Sequence, residues 1–254
     1  AAGALALLFL NPSHMYHSVR GQSAVKLYVI FNLLEVGDKL CASFGVDVLM
    51  AISDADQWEW WVVAVGCVYA SVHSVVLLYQ LITLNVAINS YSNALLTLLV
   101  SNQFVELKSA VFKKFDSDNL FQLSCGDVVE RFQLSLYLFI ILIMSIPDHH
   151  DRILFAVAAV WGSELLVDWC KHAFIGKFNH INSPVYRHFT KAFTRISTDG
   201  DAVARRMGFT VIPYASIFIR MLLCLTWRQL FVVYGLVVLL KMGSSVVLRR
   251  LANH

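Results

Sequence analysis

The chain has 254 residues, of which 58% are apolar and 15% charged, with a formal net charge of +3 and a mean hydropathy of +0.64. Soluble domains lie nearer ~45–50% apolar and ~25% charged, so this balance excludes a disordered tail, a coiled coil and a nucleic-acid module, and it argues against an ordinary water-soluble enzyme. Six Trp, nine Tyr and 17 Phe form an aromatic load that a bilayer absorbs and a water-facing surface does not. The fold class that follows is all-α: one transmembrane domain over 1–254, a polytopic helical bundle of about six spans (five to seven) with interfacial or re-entrant helices.

In chain order, residues 1–10 are apolar with no initiator Met, no basic leader and no cleavage site. They read as a clipped first span, with a soluble N-terminal part lying before it. Residues 23–52 are apolar but interrupted by Glu35, Asp38, Lys39 and Asp47 and by Gly37 and Gly45; they predict an interfacial or re-entrant helix, because irregular backbone at membrane depth needs protein or a wet cavity beside it. Spans are expected near 60–84, 132–146, 153–170, 209–225 and 230–248, since a bilayer core of ~30 Å takes about 20 helical residues. Trp58, Trp60 and Trp61 mark an interface at the start of the first of these. Between spans, 93–115 predicts an amphipathic helix with Val100, Phe104, Leu107, Val111 and Phe115 on one side and Asn102, Glu106, Ser109 and Lys113 opposite. Lys108, Lys113 and Lys114 would place it at the cytosolic interface; packing against the protein's own core is the equal alternative. Most Lys and Arg outside the spans fall in 85–131, 171–208 and the tail, which predicts that these connections and the C-terminus are cytosolic.

The costly charges stand out. Glu164, Asp168 and His172 are spaced i, i+4, i+8 and share one stripe of a helix. Either they line a path for an ion, a proton or a lipid head group, or they pair with Arg220 or Lys241, basic residues within other spans. Glu35 and Lys39 are placed to pair along one helix, with Asp38 beside them. His73, alone on an apolar span, reads as a satisfied buried imidazole, and Asp148-His149-His150-Asp151 as a solvated turn and not a metal site. The five cysteines form no C-x-x-C pair and read as buried thiols; no glycosylation acceptor occurs. Neither a nucleophile elbow, a Walker loop, an H-E-x-x-H pair nor a dinucleotide fingerprint is present. No cofactor is expected.

Several stretches carry a family resemblance. YHSVRGQSAVKLYVIFNLLEVGDKLCASFGVDVL (16–49), TLNVAINSYSNALLTLLVSNQFVELKSAVFKKF (83–115), NLFQLSCGDVVERF (119–132), SELLVDWCKHAFIGKFNHI (163–181) and ARRMGFTVIPYASIFIR (204–220) resemble, in order, the transmembrane anterior posterior transformation (Tapt)/Emp65 family. That resemblance implies a multi-pass protein of the endoplasmic reticulum without an established catalytic activity. It implies a part in protein folding and quality control with a membrane partner bearing a SUN-like lumenal domain and, in animals, in cilium formation and development. The expected function is therefore a non-enzymatic membrane scaffold in a hetero-complex or homo-oligomer, in contact with the lipid bilayer and not with nucleic acid. The alternative is an ion, proton or lipid conduit using the intramembrane acidic residues.

Overall fold

The computed structural model describes residues 2–53, 60–90, 93–145, 150–182, 184–196, 200–225, 229–230, 233–238 and 241. Its helices run α1 (Ala2–Phe9), α2 (Pro12–Arg20), α3 (Ala24–Ser53), α4 (Trp60–Asn89), α5 (Asn93–Val111), α6 (Ser117–Ser145), α7 (His150–Phe178), α8 (Pro184–Ile196), α9 (Gly200–Met207) and α10 (Val211–Cys224). No strand occurs among the described residues. The all-α expectation holds.

Local chemistry sets several boundaries. Asn11 accepts from the backbone N–H groups of Ser13 and His14 while Pro12 opens α2, which stops at Gly21. Asp116 starts α6 by accepting from Asn119 N–H at 2.8 Å. The helix expected over 93–115 ends at Val111, because Asn179 holds the next turn open by accepting from Phe115 N–H and donating to the Lys113 carbonyl. At the end of α7, His180 takes a left-handed φ of 53° and Ile181 N–H returns to the Gly176 carbonyl, the closure that satisfies a helix C-terminus.

The helix α4 is the hub. Its inner side, including Leu77, Leu81, Leu84 and Ile88, packs against α3, α1, α2 and α10 within the main apolar core. Gly3 makes the approach of α1 possible: a Cβ there would lie 2.7 Å from the hydroxyls of both Ser74 and Ser216. The helix α5 lies along α7. A second apolar cluster joins Ala110, Leu120, Ile175 and Phe189. Segment 171–208, expected as a connection, is largely the end of α7 followed by α8 and α9.

Outside, the molecule is greasy. Trp60, Phe155 and Trp169 are 81%, 73% and 83% exposed, a surface suited to acyl chains and not to water. Among the described residues, α4, α6 and 151–178 of α7 are long and apolar enough to cross a membrane. The helix α10 is apolar but 14 residues long, α3 carries five charges along its 30 residues, and part of 230–248 lies outside the described residues. So do Trp58, Asp148 and His149.

Two glycines check this packing. A side chain at Gly45 would strike the Tyr69 phenol and lie 2.8 Å from Thr210, so Gly45→Val should cost about 1–3 kcal/mol and lower the melting temperature in detergent. Gly162 has open space around it, so Gly162→Ala should leave melting unchanged or raise it, by at most about 1 kcal/mol.

Candidate functional site

The stripe on α7 points into two different surroundings. Lys171, one residue before His172, is 1% exposed. Its ammonium donates to Asp127 Oδ1 on α6 and to Asp168 Oδ1, each at 2.8 Å. Asp168 also faces Arg131 Nε at 3.3 Å. His172 Nε2 is 2.8 Å from Asp127 Oδ2, and its Nδ1 is 3.2 Å from the Tyr186 hydroxyl on α8. Burial, and then the negative charge of Asp127, push the Tyr186 phenol above its ordinary range. Five ionisable groups from α6 and α7 thus form one cluster, with Tyr186 beside His172; Arg131, Asp168 and His172 also line a cavity of about 430 Å³.

Glu164, at the start of the stripe, takes no recorded part in that cluster. It accepts from Gln103 Nε2 of α5 at 2.6 Å, while the Ser163 hydroxyl donates to Gln103 Oε1. Glu164 and Gln103 belong to the wall of a cavity of about 770 Å³, built from α3, α4, α5, α6, α7 and the α9–α10 region. Across it, Lys39 pairs with Glu35 at 3.3 Å and Glu130 at 3.0 Å. Asp38 is buried there; it accepts from His73 Nε2 at 2.7 Å and from Gln133 Nε2 at 2.9 Å. His73 in turn meets the Tyr69 hydroxyl at 2.8 Å through Nδ1, so the imidazole is satisfied on both nitrogens. Gln133 also reaches Gln80 at 2.8 Å, Tyr137 at 3.2 Å and Tyr214 at 3.1 Å. These bonds join α3, α4, α6 and α10 through one polar core.

Of the residues singled out in the sequence, the structure therefore joins Asp168 with His172, and Glu35, Asp38 and Lys39 with Glu164 around one chamber. Arg220 donates to Cys224 of its own helix at 3.3 Å, and Lys241 is exposed; the recorded basic partners of Asp168 are Arg131 and Lys171, not these two. The reason is register: α6 begins at Ser117, well before the apolar stretch that suggested a span, and carries Asp127 and Arg131 to the depth of α7's charges. Lys108, Lys113 and Lys114 are exposed around the end of α5, whereas Asn102 and Gln103 of that helix face the chamber. Sequence reasoning passed over Asp127, Glu130, Arg131, Gln133 and Lys171 as partners. The signal was available in the i, i+3, i+4 spacing of Asp127, Glu130 and Arg131, a helical repeat running into the apolar segment. Among the described residues, no three His, Cys, Asp or Glu side chains converge as a metal site.

A helical bundle with an acyl-compatible exterior, an interior ionic cluster and a polar chamber defines a polytopic membrane protein. The chain belongs to the eukaryotic membrane protein family whose model matches residues 1–254. It is 40% identical to "Endoplasmic reticulum membrane protein 65" of Schizosaccharomyces pombe, over 83% of this chain and 38% of that protein. It is 43% identical to "Protein TAPT1 homolog" of Dictyostelium discoideum, over 84% of this chain and 31% of that protein. It is also 40% identical to the human "Transmembrane anterior posterior transformation protein 1 homolog", over 92% and 46%. The chain thus spans less than half the length of these relatives. No solved structure matches it.

The two ion-pair groups should respond differently to loss of one partner. Lys171→Met leaves Asp127 and Asp168 buried without their ammonium and should destabilise by about 3–5 kcal/mol. Lys39→Met removes a side chain that is 56% exposed and should cost at most ~1 kcal/mol. Denaturant titrations of both variants in one detergent compare them directly.

Proposed function

We propose that this chain is the membrane core of a non-enzymatic scaffold of the endoplasmic reticulum membrane, working in a complex with another membrane protein. The observation that carries the reading is the mutual pairing of the α6–α7 charges: Lys171 is engaged by Asp127 and Asp168, and His172 by Asp127. Groups locked in mutual pairs across two helices hold those helices in register. The address follows from the relative named for the endoplasmic reticulum membrane and from the apolar girdle. The partner in this reading carries a SUN-like lumenal domain, and the complex serves protein folding and quality control and, in animals, cilium formation and development. The C-terminus and the basic segments 85–131 and 171–208 face the cytosol.

The conduit alternative draws less support along the stripe itself, since Glu164 lines one cavity and Asp168 and His172 another. Purification of the full-length protein from native membranes in a mild detergent tests the scaffold reading. The expected result is a species larger than the monomer that retains a second membrane protein through size exclusion. A monodisperse lone monomer, from membranes in which the protein is at its native level, overturns it.

A further inference from the structure

The scaffold reading leaves the chamber unused. Its volume, about 770 Å³, falls in the range of small-molecule sites, and its wall is chemically divided. The α3, α6 and α7 walls carry Glu35, Asp38, Asp47, Asp127, Glu130 and Glu164, against which stand the ammonium groups of Lys39 from α3 and of Lys171, bonded to Asp127. Aromatic surface from Phe31, Tyr137 and Tyr214 lines the same cavity. Arg205 and Arg206, both exposed, contribute the wall made by α9. The lining is therefore rich in carboxylates and aromatic rings, with two guanidinium groups on the α9 side.

Charge and aromatic surface, not unmet hydrogen bonds, set what this wall suits. Gln133 Nε2 has two hydrogens, and Asp38 Oδ2, Gln80 Oε1 and Tyr137 Oη all lie within 3.2 Å of it. The Tyr137 hydroxyl donates to Gln80 Oε1 at 3.0 Å, so the two Gln133 hydrogens can serve Asp38 and Gln80 and this point of the wall is internally satisfied. With six carboxylates in its lining, the wall favours a cation over a second anion. Carboxylates with aromatic faces suit an ammonium or quaternary ammonium group, and paired guanidinium groups suit a phosphate.

We propose that the chamber binds the zwitterionic head group of a phospholipid, a phosphate ester carrying choline or ethanolamine, with the ammonium against the carboxylates and Tyr137 and Tyr214, and the phosphate at Arg205 and Arg206. The surrounding lipid supplies this chemistry at high local concentration; a soluble phosphocholine ester has the same recognition groups. This inference goes beyond the scaffold reading and stands whether or not a partner protein binds.

The test uses the full-length protein in detergent lacking choline, with tail-labelled phosphatidylcholine as the probe and fluorescence anisotropy as the readout. The expected result is saturable binding, displaced by glycerophosphocholine and at least tenfold less well by choline alone, by inorganic phosphate alone or by phosphatidylglycerol. The double variant Arg205→Gln with Arg206→Gln, exposed positions, should weaken phosphatidylcholine more than tenfold while displacement by choline changes less than threefold. Glu164→Gln should weaken the probe and choline together; if it fails to fold, the exposed Asp47→Asn replaces it. Binding of glycerophosphocholine without the lipid upholds the recognition chemistry and assigns it to a soluble ester. Equal binding of phosphatidylglycerol, or binding unchanged in folded variants at both ends, overturns the proposal and marks the probe as annular lipid.

Discussion

The rest of the bundle depends on one ammonium group in a place where charge is costly. Lys171 is nearly sealed from solvent and held between Asp127 of α6 and Asp168 of its own helix. Desolvating three ionised groups consumes most of what their attraction returns, so such a cluster need not raise net stability. What it does is penalise every arrangement that separates the partners. A shift of α6 along α7 by one turn would move Asp127 about 5.4 Å and leave Lys171 and His172 facing apolar side chains. In lipid, where greasy helices have little reason to prefer one neighbour over another, this penalty fixes the α6–α7 register.

From that register the remaining polar structure follows. With Asp127 fixed, Glu130 and Gln133 on the next turns of α6 meet Lys39 and Asp38 of α3, and Tyr137 meets Gln80 of the hub helix α4. Long polar side chains, not close backbone packing, bridge α3 to α6, and the space between them is the chamber. The ionic cluster and the chamber are thus one construction: the first holds the helices that keep the second open. A scaffold that also recognises a lipid head group needs both features.

Composition and period made the helical membrane class legible, because 58% apolar residues leave few other ways to satisfy a backbone. His73 was readable as a satisfied imidazole because a lone ring on an apolar helix has to find partners within the protein; its partners, Asp38 and Tyr69, come from another helix and another turn. The partner that α6 gives Asp168, Arg131, is legible only in the helical repeat of Asp127, Glu130 and Arg131, which hydropathy masks. Hydropathy windows end a helix where charges begin, so Asp127 and Arg131 looked like loop residues although α6 begins ten residues before Asp127. The helix α8 was missed for a related reason. Basic Arg187, Lys191 and Arg195 dominate its composition, while Val185, Phe189 and Phe193 repeat every fourth residue and Phe189 enters the second core. The chamber depends on α3, α5, α6 and α9 meeting in space, a long-range fact that no local spacing encodes.

The account turns on whether Lys171 and Asp127 act as one unit, and a double-mutant cycle of Lys171→Met and Asp127→Asn, followed by unfolding in detergent micelles, measures that. A coupling energy of about 2 kcal/mol or more, with the double variant far less damaged than the two single losses added together, is the predicted result. Additivity to within ~0.5 kcal/mol would contradict the account, because the two charges would then be independent and something else would have to set the helix register.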